Sequence, residues 1–539
     1  MGTVISFIKH YKVWRPGILA VILARIEQWM EGIIRSLPSP DLIPGFSSDN
    51  FLLPLRLVFA FLFLLFTFFH WQGIHYKDVT GRSLWRDQRD YSRSYWQLIR
   101  YYRNADPHRL DPKTLPIANW REVDGIILGK VGNRLIYRPT SADRGEGRNF
   151  LLMGRPGDRK TVSQIIPTAL RFGGAVLAID IKGDIYNATH ESRNIKVLDL
   201  TDLNSSYCFN PLYGIDEMSI TKLKVTLEQI ATTMVPADPN GKYFVEGGRD
   251  MFVGVALYLL TKNIHTSFAQ IAHGILHKNA IEWITEIHES NCEVAKEYTD
   301  SYYGTTEKNV MSAYGEMRKR IRALYSEELM KILVEDEGGI SPQNLEDGID
   351  IYIRVAQEDL KFYEPLITLL VQRFMTSMMG RPDSSNNLTS PSILFLLDEM
   401  PQLRIDANVL FSALATLRSK KCSIFIAGQG IGQLLDLYGS GGFRTLMGTL
   451  HYISIMGTED VESAKYFSEM IGYRKTLMMS TNINSLENGQ NVRSGSGKGS
   501  SETQELIYQP ADFSDMDIRK VIIKTRGKYI EAEKCFFFE

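Results

Sequence analysis

Apolar positions change their spacing along this chain, and each change predicts a different kind of structure. The densest run, residues 51–71, is continuous and apolar and has the length that crosses a bilayer, about 20 residues. Arg56 near one end can extend its stem to the headgroups, and Trp71 is suited to the interface. The run begins too far into the chain to be a cleaved signal peptide. Upstream, residues 16–37 read as a helix whose apolar stretch is followed by Arg25, Glu27 and Glu31. Two readings stand side by side there: a first transmembrane helix making a hairpin, or an amphipathic helix lying on the membrane. Arg82, Arg86, Arg89, Arg93, Arg100 and Arg103 crowd the downstream side, which the positive-inside rule makes cytoplasmic.

From Ile126 the pattern becomes short apolar runs. Residues 126–129 and 134–137 predict a hairpin around Gly132-Asn133. Residues 150–153, 175–180 and 195–200 predict strands separated by helical stretches, the alternation of an α/β sheet that is largely parallel. Between about 215 and 345 helical periodicity takes over, as in 222–233, 249–261 and 311–333, and predicts a helical insertion. Strand patterns return at 349–355, 392–397, 422–427, 521–525 and 528–531, with a helix at 365–379. The Ser-, Asn- and Gly-rich residues 480–503 predict a mobile loop. The expected organisation is a membrane anchor over 1–72 and a charged, aromatic connector over 73–120. A first part of a nucleotide-binding domain follows over 121–214, then an all-α domain over 215–345, then the second part of the nucleotide-binding domain over 346–539. With no segment expected beyond the last strands, the helical residues 215–345 become the expected substrate-recognition surface.

Composition narrows this little. A chain of 539 residues can bury a large core, and a formal net charge of -1 argues against strong nonspecific nucleic-acid binding by the whole molecule. Cys208, Cys292, Cys422 and Cys535 are scattered, with no metal spacing and no disulfide framework, and are expected to be reduced thiols.

The chemistry is concentrated in Gly154-Arg155-Pro156-Gly157-Asp158-Arg159-Lys160-Thr161. An apolar strand runs into Gly154, and a helical segment opens after Thr161, the context of a Walker A loop. In such a loop backbone N–H groups, Gly154 and Gly157 among the residues, cradle phosphates. Lys160 would reach the terminal phosphates, and the Thr161 hydroxyl would bind Mg²⁺. The residue before the lysine is ordinarily glycine; here it is Arg159, preceded by Asp158. The arginine either fills the phosphate pocket or points outward. Asp398-Glu399 end the apolar run 393–397 in a Walker B arrangement: Asp398 would serve Mg²⁺ and Glu399 would orient or deprotonate the attacking water. Gln429, at the tip of the next strand, is placed to sense the γ-phosphate. Arg418 reads either as an arginine finger across a subunit interface or as a solvated basic helix end.

In order along the chain, these segments resemble those of the type IV coupling proteins, the TraG/TraD-type ATPases of conjugation and type IV secretion. The likeness is carried by the loop 154–161, by Asp180-Ile181-Lys182-Gly183-Asp184, and by Val197-Leu198-Asp199 with Phe209-Asn210-Pro211-Leu212. It continues in Leu396-Leu397-Asp398-Glu399-Met400-Pro401, in residues 415–421 with Gln429, Gln433-Leu434 and Tyr438-Gly439, and in Met456-Gly457-Thr458-Glu459-Asp460 with Ser463-Ala464-Lys465-Tyr466. The resemblance implies a RecA-like P-loop nucleotide-binding domain with an inserted all-α domain, behind an N-terminal transmembrane region. It implies ATP and Mg²⁺ as cofactors and a homo-hexameric ring at the bacterial inner membrane, with the bulk of the chain cytoplasmic. The partners implied are single-stranded DNA or a relaxase–DNA complex, protein effectors, and the components of a type IV secretion channel. Arg159 and Asp158 depart from the family pattern, Ile181 replaces its proline, and one transmembrane span is clear where the family shows two. The main expectation is a coupling ATPase. Beside it stand a catalytically weak or inactive scaffold that docks substrates and secretion partners, and a membrane-anchored DNA translocase outside secretion.

Overall fold

The computed structural model describes residues 106, 108–141, 148–236, 242–383, 390–484 and 495–538. The expected spans at 16–37 and 51–71 lie outside these residues, and among the described helices none is long and apolar enough to cross a membrane. Two compact units are present, one of which contains residues 472–507 and the other residues 108–471 and 508–539.

The larger unit is built on one twelve-stranded sheet. Its strands in chain order are β1 (Ile117–Ala118), β2 (Gly125–Val131), β3 (Arg134–Pro139), β4 (Asn149–Met153), β5 (Ala175–Ile181), β6 (Ile195–Asp199) and β7 (Asp350–Val355). β8 (Ile393–Leu397), β9 (Cys422–Gly428) and β10 (Tyr452–Ile455) follow. After a hairpin, β11 (Tyr473–Asn484) and β12 (Gly495–Leu506), come β13 (Lys520–Thr525) and β14 (Lys528–Glu533). The spatial order is β1-β3-β2-β14-β13-β10-β4-β9-β8-β5-β7-β6. From β10 to β6 neighbours are parallel. On the other side β13, β14, β2, β3 and β1 pair antiparallel, so the sheet is mixed.

The central parallel strands are covered on both faces, so they read as largely apolar runs. Every residue of β4, β5, β8 and β9 is buried. Phe150 stacks between Tyr452 and Phe425, with centroids 5.0 Å and 6.0 Å away, and so ties β4 to both its neighbours. At the opposite edge of the sheet from the loops, the buried Arg193–Asp350 ion pair pins β7 to β5. The guanidinium also donates to the carbonyls of Ala169, Phe172 and Gly174, and Asp350 accepts from the Val176 N–H.

Between β6 and β7 the described residues carry only helices, from Ile220–Met234 to Pro342–Glu346. Several start on side-chain caps: Ser219 for Ile220–Met234, Asn279 for Ala280–Glu289, and a Ser267/Gln270 capping box for Phe268–His277. The polypeptide enters this region through Phe209-Asn210-Pro211. Phe209 packs on Phe374 at 5.9 Å, and Arg373 donates to the carbonyls of Pro211 and Tyr213.

The hairpin at Gly132-Asn133 forms as the pattern predicts, with Gly132 supplying a positive φ of 61°. Residues 480–484 and 495–503 are strand rather than the loop that their composition suggests, and 485–494 lie outside the described residues. β11 and β12 pair antiparallel from Tyr473↔Leu506 to Asn484↔Gly495. A ladder of backbone hydrogen bonds needs no apolar side chain, so composition is blind to it.

Candidate functional site

In a sheet of parallel strands, the C-terminal edge collects the loops that bind ligands. Here the loop after β4 occupies that edge between the ends of β9 and β10. Three residues at this rim have unusual backbone, two of them in the loop itself. Gly157 has φ 88° and Arg159 φ 60°, both left-handed; for the arginine this costs about 1–2 kcal/mol. Hydrogen bonds on either side hold it there. The Arg159 carbonyl accepts from Ser163 N at 3.0 Å and Ser163 Oγ at 2.6 Å. The preceding carbonyl, of Asp158, accepts from Lys534 Nζ at 2.8 Å. The third, Glu399 with φ 51°, sets the turn after β8.

Asp158 does not project its charge into the loop mouth. Its carboxylate is buried and turns back, accepting from Arg155 N and Arg155 Nε, each at 3.0 Å. Arg155 in turn donates to the Ser514 carbonyl at 2.9 Å. The Arg159 guanidinium points outward, 5.5 Å from the ring centroid of Phe536. Arg159 does not stand over either glycine, whereas an Asp158 carboxylate oxygen lies 3.4 Å from where a Gly154 side chain would begin.

After the loop the chain forms a π-helical turn, Thr161–Ile165, before the α-helix Ile166–Arg171. Pro167 explains the wide turn: it has no N–H to give the Ser163 carbonyl, and the Ile166 N–H reaches back to Thr161 instead.

Thr161 Oγ1 donates to Asp398 Oδ2 at 3.1 Å. Lys160 Nζ donates to the Gly154 carbonyl at 2.7 Å and lies 3.7 Å from Glu399 Oε1. Glu399 Oε2 accepts from Gln429 Nε2 at 3.0 Å and faces Gln402 Nε2 at 3.5 Å. Gln433 receives the Gln429 N–H at 3.3 Å. Burial and the adjacent Glu399 carboxylate push Asp398 up to about 6, against the opposing pull of the Thr161 hydrogen bond and of Lys160. The hydroxyl and carboxylate oxygens of Thr161 and Asp398 are the hard donors that Mg²⁺ prefers. Lys160 is the cation beside them, and Glu399 is a carboxylate oriented by two amides.

The structure therefore brings Gly154, Gly157, Lys160, Thr161, Asp398, Glu399 and Gln429 to one rim. It does not bring Arg418 there: that exposed residue precedes β9, at the end of the strand opposite to Gln429. Asp180 ends β5 on the loop rim, and its buried carboxylate caps the helix Asp184–Thr189 through Ile185 N at 3.2 Å and Tyr186 N at 2.8 Å. Sequence reasoning missed Lys534 and Phe536. Lys534 is fully buried, and desolvation lowers it to about 8 even though Asp158 opposes that shift.

A family model described as Type IV secretory system Conjugative DNA transfer matches residues 117–539. Protein VirD4 of Agrobacterium fabrum is 23% identical over 372 residues, covering 66% of this chain and 54% of that protein. Probable conjugal transfer protein TraG of Sinorhizobium fredii is 25% identical over 401 residues, covering 69% and 59%. The chain thus spans about half the length of the curated relatives it matches. Among solved structures, the bacterial conjugative coupling protein TrwBdeltaN70 superposes with a TM-score of 0.59 at 16% identity, covering 76% of this chain and 88% of that one. The plasmid coupling protein TrwB in complex with ADP and Mg²⁺ gives 0.57 at 16% identity, covering 74% and 87%. The α/β P-loop fold with a mixed sheet is common to these TrwB structures and to this chain.

Proposed function

This chain belongs to the type IV secretory system conjugative DNA-transfer family, and on that premise we propose that it is a membrane-anchored coupling ATPase. It recruits relaxase–DNA complexes, protein substrates or both to a type IV secretion channel and drives their transfer by ATP hydrolysis. The observation that carries this reading is the hydrogen-bonded convergence of Lys160, Thr161, Asp398, Glu399 and Gln429 on one loop.

In this reading Lys160 exchanges its carbonyl partner for the β- and γ-phosphates. Thr161 and Asp398 hold Mg²⁺, whose chemistry is to neutralise charge on the phosphates. Glu399, kept oriented by Gln429 and Gln402, takes the proton of the attacking water. Gln429 is in contact with Glu399 and so links the γ-phosphate position to the start of the helix Ile431–Thr449. Arg418 faces away from its own site, which suits a role in a neighbouring subunit's site within a homo-hexamer. The run 51–71 supplies the anchor in the inner membrane, and the helices of residues 215–345 supply the substrate-recognition surface. A TrwB structure is described in complex with ADP and Mg²⁺, which supports the same cofactors here.

The test is ATP hydrolysis by the full chain in detergent, with and without single-stranded DNA, beside Lys160→Ala. Hydrolysis that is lost in the variant supports the motor. Nucleotide binding without hydrolysis under any condition would leave the scaffold reading in its place.

A further inference from the structure

We propose that Arg159, the residue that breaks the loop consensus, is the surface on which the base of the bound nucleotide stacks. This rests on the nucleotide-binding reading above and extends it to the part of the ligand that the loop motif does not address.

The sheet order fixes which way a nucleotide must lie. The groups suited to the terminal phosphate and its cation come from the ends of β8 and β9, on one side of β4. The α-phosphate and nucleoside must therefore leave the loop on the other side, where β10, β13 and β14 lie. β14 is antiparallel to β13, which is antiparallel to β10, so β14 points the same way as β4 and its end meets the same rim. The residues that follow β14 pack on the loop from that side. Lys534 holds the Asp158 carbonyl, the Phe537 N–H donates to the Val162 carbonyl at 3.3 Å, and Phe536 lies beneath the Arg159 guanidinium.

A pair of aromatic rings lies behind Arg159. Phe536 is 5% exposed and itself stacks on Phe538, with centroids 5.6 Å apart and planes at 19°. The Arg159 guanidinium thus lies over an aromatic ring, 5.5 Å from its centroid, while the residue as a whole remains exposed. A guanidinium plane backed by an aromatic ring is a stacking platform for a nucleobase. The left-handed backbone at Arg159 directs the side chain away from the phosphate cradle and onto this platform. The arginine therefore adds a contact to the site without occupying the space over the glycines.

The experiment compares two ligands on the full chain in detergent with Mg²⁺: ATP, and inorganic tripolyphosphate, which has the phosphates and no base. The variant is Arg159→Lys, which keeps the charge and removes the plane. Arg159→Lys is expected to bind ATP about tenfold more weakly and tripolyphosphate as the native chain does. Lys160→Ala is expected to lose both ligands. Native-like ATP affinity in Arg159→Lys, or an equal loss of both ligands, overturns the base platform and leaves the nucleotide site standing. A native chain that binds neither ligand overturns the nucleotide-binding reading itself, and the platform with it.

Discussion

Replacing Asp398 by Asn tests the electrostatics of the site through stability, independently of turnover. Burial first, and the Glu399 carboxylate second, raise this carboxyl from 3.8 to about 6. A carboxyl raised on folding is held more readily as the neutral acid in the native chain than in the unfolded one. Its favourable contribution is therefore complete below pH about 4 and is lost as the pH climbs through about 6. At about 1.4 kcal/mol per pH unit, ionising Asp398 in place costs about 3 kcal/mol by pH 8. Asparagine has nearly the same shape, still offers Thr161 an acceptor, and never ionises. In chelator and without nucleotide, the melting temperature of Asp398→Asn should match the native chain near pH 4. It should exceed the native value by a few degrees at pH 8, with the gap opening between. With Mg²⁺ and ATP the order reverses, because the cation favours the carboxylate that asparagine cannot supply. A gap that does not change with pH, or a native chain that is the more stable one at pH 8 in chelator, would refute the reasoning.

Three further outcomes follow from the geometry. Gln429→Ala should lower kcat for ATP by about 100-fold while changing KM little, because it frees Glu399 to turn rather than removing a phosphate ligand; steady-state kinetics decide it. Arg193→Ala should destabilise the fold by about 3–5 kcal/mol by stranding the buried Asp350 carboxylate and three carbonyls, seen as a lower denaturation midpoint with the nucleotide residues untouched. Gly174→Ala should prevent soluble accumulation of the chain, since its Cβ would stand 2.0 Å from the Ser392 carbonyl oxygen where β5 meets β8; expression and solubility trials measure it.

The strands of the sheet centre were legible because burial on both faces makes most of their positions apolar, with polar residues such as Asn149, Asp180 and Ser423 near their ends. β10 was not: Tyr452-Ile453-Ser454-Ile455 is short, and Ser454 at its centre breaks the apolar pattern. Yet Ser454 is buried, where its hydroxyl accepts from Gln164 Nε2 at 3.2 Å. The hairpin of β11 and β12 was hidden for the opposite reason, since its composition carries no core. In the site, Lys160, Thr161, Asp398, Glu399 and Gln429 could be found because each sits at a fixed offset from a strand end. Lys534 and Phe536 have no such offset. They reach the loop only because β14 runs parallel in direction to β4 two strands beyond β10, and nothing local in the sequence encodes that order. The direction of the Arg159 side chain was open for the same reason: the ring that receives it comes from the far end of the fold.

The strand order also governs when the site can exist during synthesis. β4 emerges early, but its two sheet neighbours, β9 and β10, come roughly 270–300 residues later, and the residues that brace its loop come after β14. The loop therefore gains its walls only after β9, β10 and the residues that follow β14 have been made. A chain interrupted before β8 carries Gly154 to Thr161 without Asp398, Glu399, Gln429 or Lys534. A chain that stops before the end of β14 leaves the loop without Lys534 behind the Asp158 carbonyl.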